Sequence, residues 1–266
     1  MPDPRTLALA LEVVTAGDPT LPVVLLVHSS GLGALQWRRA LSLLSPHSHL
    51  VAPNLLGYAG SAPFDARQGP APAQDLAALE ALLPTLPARF DLVGHSYGGT
   101  LAARLALLHP ARIRSLTLCE PILIGLLAGS PAAAAELAQW NTLPAAPGTP
   151  AWLAIFVDYW SGPGAFERMA PALRHQFLAL GPKVAAEVDG ISGDAISAAA
   201  YAALPLPIHV MRGEMSTLAG RTIAEQLSAA LPGGHLEVIA GAGHMAPVSH
   251  PGQFAALLSR HLGRGV

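Results

Sequence analysis

With 266 residues, 52% of them hydrophobic, and a formal charge of −2, the chain is sized for one α/β domain carrying an insertion. A near-balanced charge and a single lysine, Lys183, exclude a basic nucleic-acid surface. Mean hydropathy is high, at +0.43, yet no stretch reaches the roughly 18 uninterrupted apolar residues of a membrane span.

The first residues, Met1-Pro-Asp-Pro-Arg5, show no basic region followed by an apolar core and cleavage site, so no signal peptide is expected. Residues 6–14 alternate weakly and predict an opening strand. Residues 22–27 are apolar and β-branched and predict a buried strand. A helix follows at 37–44 and a strand at 49–53. Residues 73–83 predict a helix, because Leu76, Leu79, Glu80 and Leu83 recur at helical spacing while Gln74 and Asp75 are polar at its start. The run Arg89-Phe-Asp-Leu-Val93 predicts a strand, 97–108 a helix and 114–119 a strand. From Pro121 the alternation stops. Helices are expected at 131–140, 151–160, 163–180 and 182–201, split by Gly and Pro, with no strand among them. Leu204-Pro-Leu-Pro207 reads as a return linker. Strand 208–212, helix 221–231, strand 235–239 and helix 252–262 complete the chain. Such alternation predicts a mostly parallel central sheet flanked by helices. The expected core is 1–121 with 205–266, and 122–204 forms an inserted helical cap.

Gly94-His95-Ser96-Tyr97-Gly98 is the most informative stretch. It stands where a strand turns sharply into a helix, the context in which G-x-S-x-G exposes a nucleophilic serine. A serine hydroxyl is a weak nucleophile at neutral pH and needs a neighbouring base. His244 lies on a glycine-framed loop, Gly241-Ala-Gly-His244, just past a short apolar strand, and is the expected base. His95 is expected to pack at the elbow, and His235 and His250 to be structural. The loop His28-Ser-Ser-Gly31 can present a backbone N–H to an oxyanion. The expected oxyanion-hole donors are the amides of Ser30 and of Tyr97, the residue after the nucleophile.

Together these pieces resemble the α/β-hydrolase superfamily. His28-Ser-Ser-Gly31 resembles its His-Gly-x-x loop, with Ser29 where Gly is usual. Val51-Ala-Pro-Asn-Leu-Leu-Gly57-Tyr-Ala-Gly60-Ser61 resembles its Pro-Asp-x-x-Gly-x-Gly-x-Ser segment, with Asn54 in place of Asp. Gly94-His-Ser-Tyr-Gly-Gly99 and Gly241-Ala-Gly-His244 match the elbow and the histidine loop. The resemblance implies the α/β-hydrolase fold and a nucleophile, base and acid; it does not specify a substrate. Its usual acid would stand in the Gly-x-x-Asp position after strand 208–212, where this chain reads Gly213-Glu-Met-Ser216. Ser216 cannot balance an imidazolium. Some superfamily members carry the acid at the end of the preceding strand, and here that position is Glu120. Glu120 is the expected acid, with Glu214 as its rival.

Cys119 is the sole cysteine, which excludes an intramolecular disulfide and fits a reducing, cytoplasmic setting. No metal-ligand spacing, phosphate loop or dinucleotide fingerprint is present, so no cofactor and no metal are expected. The cap holds Trp140, Trp152, Phe156, Tyr159, Trp160, Phe166 and Phe177. Most should hold cap helices together, while Trp160 and Phe156 are the expected substrate-binding residues. Few charges and no Arg or Lys pair in the cap point to a small-molecule substrate that is moderately hydrophobic and uncharged. The expected activity is that of a serine hydrolase on a carboxylic ester or related acyl group. C–C bond hydrolysis, acyl transfer and perhydrolysis by the same triad stay open, as does a ligand-binding protein of low turnover. Oligomeric state is not legible.

Overall fold

A computed structural model of the chain describes residues 10–139 and 143–264. Its sheet has seven strands in the order β1-β3-β2-β4-β5-β6-β7. They are β1 (Val13–Ala16), β2 (Val23–Val27), β3 (His49–Pro53), β4 (Phe90–His95), β5 (Ile113–Cys119), β6 (Ile208–Gly213) and β7 (Leu236–Ile239). Only β1 runs antiparallel, against β3; every other pairing is parallel. The central strands β2 and β4 are buried at every position, as a parallel sheet covered on both faces requires.

The covering helices are α1 (Arg38–Leu44), α2 (Ala71–Leu82), α3 (Tyr97–Leu108), and, after the insertion, α10 (Leu218–Ala230), α11 (Ala246–Ser249) and α12 (Pro251–His261). They enclose two apolar clusters. One includes Leu25, Leu92, Leu101, Leu116 and Ile223, the other Val24, Leu26, Trp37, Val93 and Phe254. Consecutive β2 residues fall in opposite clusters because strand side chains alternate between faces.

Strand order reverses at β2. The chain leaves β2 for β3 on one side and later returns to β4 on the other. Loops leaving β2 and β4 therefore part at the carboxyl edge, opening the crevice where open α/β sheets place their ligands. Val27 lies beside Gly94 across this junction, so the loop from His28 and the elbow at Ser96 start side by side.

Between β5 and β6 the chain forms α4 (Pro131–Ala138), α5 (Pro150–Ser161), α6 (Ala165–Arg168), α7 (Pro171–Ala179), α8 (Gly181–Ser192) and α9 (Ala198–Ala202). These helical elements are consistent with a cap. They have a small core of their own, built on Trp152, Leu153, Val157, Phe166, Phe177 and Val184.

Several expected boundaries move. The opening strand starts only at Val13; residues 6–9 of that expectation and Trp140 lie outside the described residues. The helix expected at 163–180 is two, because Pro171 disfavours helical geometry at Ala170, which is extended at ψ 136°. The helix expected at 182–201 also divides, α8 ending at Ser192 with Gly193 as its cap. Helix α10 begins three residues before Arg221, where the Thr217 hydroxyl accepts the Gly220 N–H at 3.2 Å and caps it. Asp75, expected on the polar start of a helix, is fully buried inside α2. Among the described residues no helix is long and apolar enough to cross a membrane.

Candidate active site

The elbow requires its two glycines. A Cβ on Gly94 would stand 2.4 Å from the Gly98 carbonyl oxygen, and one on Gly98 would stand 2.3 Å from the carbonyls of Val27 and His28. Larger residues would push α3 off the sheet. Ser96 takes φ 54°, ψ −122°, a sparsely populated conformation that persists only where the surroundings over-determine it. Its N–H is held by the Cys119 carbonyl at 3.1 Å.

Ser96 Oγ lies 2.8 Å from His244 Nε2. On the other side of the ring, Nδ1 lies 3.1 Å from Glu120 Oε2. An ionised carboxylate only accepts, so Nδ1 carries the proton and Nε2 offers its lone pair to the serine. Glu120 follows β5 with φ 50°, a left-handed turn unusual for a side chain of that size. Its other oxygen, Oε1, accepts the Gly213 N–H at 2.7 Å and the Ser216 hydroxyl. Glu120 is fully buried. Burial alone would raise its pKa, but hydrogen bonding and charge at His244, with the Ser216 and Gly213 donors, outweigh it and hold the carboxyl below its usual range.

Thus Ser216, at the usual acid position, donates to the carboxylate arriving from the neighbouring strand. Glu214 faces elsewhere, accepting the exposed Gly241 N–H at 2.8 Å. The structure brings Ser96, His244 and Glu120 into one line and leaves Glu214 outside it.

His95 packs beneath the histidine, its ring 5.2 Å from that of His244. Its Nε2–H donates to the His244 carbonyl at 2.8 Å, fixing the loop backbone. Burial pushes its pKa down to about 3, so it stays neutral. His28 is likewise neutral, pushed by burial to about 4. It accepts the Leu55 N–H at 3.0 Å and donates to the Ser29 carbonyl at 2.8 Å, pinning the loop that holds Ser30.

The family model of the alpha/beta hydrolase family matches residues 24–257. The chain belongs to that family. Among alpha/beta hydrolase relatives, the 2-hydroxy-6-oxo-2,4-heptadienoate hydrolase of Pseudomonas putida strain F1 is 36% identical over 113 residues, 41% of this chain and 39% of that protein. That match spans less than half of either. The pimeloyl-[acyl-carrier protein] methyl ester esterase of Serratia marcescens is 29% identical over 94% of this chain and 96% of its own length. In fold, the chain is similar to the 2-hydroxy-6-oxo-6-phenylhexa-2,4-dienoate hydrolase of Rhodococcus sp. strain RHA1. The TM-score is 0.72 at 22% identity, covering 95% of this chain and 94% of that one.

In this alpha/beta hydrolase the crevice is roofed by the inserted helices and encloses a cavity of about 590 Å³. Ser30, Ser96 and Tyr97 line it together with Phe156 and Trp160, so the expected nucleophile, oxyanion donors and substrate-binding rings meet at one space. Trp160 also covers the histidine, ring centroids 4.2 Å apart. Trp152 lines the cavity too, stacked on Phe156 at 5.4 Å. Phe166 and Phe177 instead belong to the core of the inserted helices.

A buried polar cluster behind the loop that follows β2 was not expected. Lys183 Nζ pairs with Asp75 at 2.5 Å and stands 3.6 Å from Glu187. Tyr97 donates to Asp75 at 2.7 Å, and Tyr58 to Glu187 at 2.9 Å. The available signal was the one lysine of the chain, set four residues before a glutamate in the same predicted helix. Such a pair shares a helix face.

Burial raises Glu187 to about 7; Lys183 opposes this, Asp75 adds to it, and the Ser30 and Tyr58 hydroxyls oppose it. Below pH 4.5 folded and unfolded chains both hold this proton, so its burial costs nothing. Between 4.5 and about 7 only the folded chain holds it, and stability falls until the folded group ionises. Glu187→Gln should therefore gain stability relative to wild type between pH 5 and pH 8, read from urea unfolding midpoints. A gap independent of pH would contradict this.

Proposed function

We propose that this chain is a serine hydrolase acting on carboxylic esters with small to medium apolar acyl groups. The supporting observation is the unbroken line from Ser96 Oγ through His244 to Glu120, at 2.8 and 3.1 Å, opening on an apolar cavity. Ser96 Oγ attacks the ester carbonyl while His244 Nε2 takes its proton. The Ser30 and Tyr97 amides receive the oxyanion. The tetrahedral adduct collapses as His244 returns the proton to the leaving alkoxide, giving alcohol and an acyl-enzyme. Water, deprotonated by His244, then releases the acid and restores Ser96. Glu120 stays ionised throughout, orienting the ring and balancing the imidazolium. In this reading residues 1–121 and 205–266 are the catalytic core and 122–204 the cap, and a cytoplasmic, reducing setting suits the buried, solitary Cys119.

C–C bond hydrolysis is the second reading, because relatives include both meta-cleavage hydrolases and methyl esterases. The dienoates in those hydrolases' names are anions. Among the described residues lining the cavity there is no Lys, Arg or His, while Asp189 and Asp194 are present. An anion would lose its water there without gaining a countercharge, a costly transfer. The ester reading therefore fits the cavity better.

The test is a panel of p-nitrophenyl esters of rising chain length beside a 2-hydroxy-6-oxo-dienoate. We expect ester turnover and little or no dienoate cleavage; the reverse order would move the assignment to C–C hydrolysis. On the same panel, Trp160→Ala or Phe156→Ala should change chain-length preference more than the rate at which a fluorophosphonate labels Ser96. Unchanged preference in both variants would reduce these rings to packing.

A further inference from the structure

Glu187 is a charge the buried cluster does not need. Burying a carboxylate is costly unless it is paired. Asp75 already matches Lys183 at 2.5 Å, and it also accepts the Leu56 N–H at 3.1 Å and the Tyr97 hydroxyl. With that pair neutral, Glu187 is surplus, fully buried and farther from the ammonium, at 3.6 Å. Its nearest partners point one way. Tyr58 donates to its two oxygens at 2.9 and 3.0 Å, and the Ser30 hydroxyl favours its charged form. The Tyr58 oxygen in turn accepts the Gly31 N–H at 2.9 Å. Both routes end on adjacent residues of the loop after β2, from a helix 150 residues further along the chain.

We propose that Glu187 is a positioning residue for the oxyanion loop, holding the Ser30 amide toward the reacting carbonyl through the Ser30 hydroxyl and through Tyr58 and the Gly31 amide. This rests on the reading that the Ser30 amide serves the oxyanion formed on attack by Ser96. Gly31 itself has φ 86°, and a side chain there would collide with Phe177 of α7. The loop is thus a left-handed turn clamped between β2 and the inserted helices. An oxyanion donor works only when it is preorganised, and its removal costs about 10²–10³ in kcat. A donor left in place but loosened should cost part of that.

The experiment compares wild type, Glu187→Leu, Glu187→Gln and Tyr58→Phe on the best p-nitrophenyl ester, with fluorophosphonate labelling rates beside. Glu187→Leu should lower both kcat and labelling rate by roughly 10–100-fold, with KM within about threefold, since the cavity that binds the acyl group is untouched. Glu187→Gln should recover most of kcat, because its amide oxygen still accepts from Tyr58. Tyr58→Phe, which cuts one of the two routes, should lose about as much as Glu187→Leu or somewhat less. Removing Glu187 leaves Asp75 and Lys183 matched, so the fold should survive; should Glu187→Leu not fold, Tyr58→Phe and Glu187→Gln carry the comparison. Retention of kcat within about twofold by the folded variants that cut these routes would overturn the proposal, as would a Gln variant as impaired as the Leu or Phe variant. If wild type neither labels at Ser96 nor turns over any ester, the functional reading has failed and this inference falls with it. Labelled wild type with unaffected variants defeats the inference alone.

Discussion

Ser96→Ala and His244→Ala should each lower kcat on the preferred ester by about 10⁴-fold or more, and the double variant should be little worse than either. In the proposed mechanism the two side chains act as a unit: the serine supplies the oxygen that attacks, and the histidine makes that oxygen nucleophilic by taking its proton across 2.8 Å. Once either is gone the other has nothing to act on, and the residue of activity comes from substrate binding and oxyanion donors. Steady-state kinetics on the three purified variants decide it. Losses that multiply in the double variant would mean two independent contributions and would contradict the shared step.

Glu120→Gln should lower kcat by about 10²–10⁴-fold, by analogy with loss of charge at the acid of the Ser-His-Asp template. The amide keeps the shape but cannot balance the imidazolium. It can also turn its NH₂ toward Nδ1, which would place the ring proton on Nε2, facing Ser96. Glu214→Gln should cost less than about tenfold, because its carboxylate accepts an exposed amide away from the ring. The stronger expectation is a transplant. Ser216 Oγ already touches Glu120 Oε1 beside the histidine, so Ser216→Asp added to Glu120→Gln should restore part of the activity. An impaired Glu214 variant with an intact Glu120 variant would return the acid to β6. If neither matters, Ser96 and His244 operate without a third member.

Much of this arrangement was legible in the chain itself, and the reasons differ by element. The elbow was legible because steric crowding leaves no choice but glycine at 94 and 98. Helix α3 follows it over Tyr97–Leu108, the span expected. Parallel strands β2, β3 and β5 were legible as apolar runs because both their faces are covered. Glu120 was legible through the resemblance, since some members of the superfamily carry the acid at the end of that strand and a carboxylate ending an apolar strand needs a partner, although Glu214 stayed open as its rival. The direct bond from Ser216 to Glu120 was not, since a hydroxyl carries no sequence signature for the acceptor it will meet. Nor was the Lys183, Asp75, Glu187 and Tyr58 cluster. Its members are separated by up to 129 positions in sequence, and charged side chains are ordinarily read as solvated. Division of the inserted helices at Pro171 and Gly193 was blurred by an alanine-rich composition that keeps helical propensity high on both sides of each break.

The central claim is that Ser96 is an activated nucleophile. Incubating the intact chain with a fluorophosphonate and measuring its mass, followed by peptide mapping, tests this without knowledge of the substrate. The account predicts a single adduct, on Ser96, formed at a rate comparable with a control esterase and absent from His244→Ala. No adduct under conditions that label the control, or an adduct on a residue other than Ser96, would contradict it and leave a fold of this family that binds a ligand without acyl chemistry at the elbow.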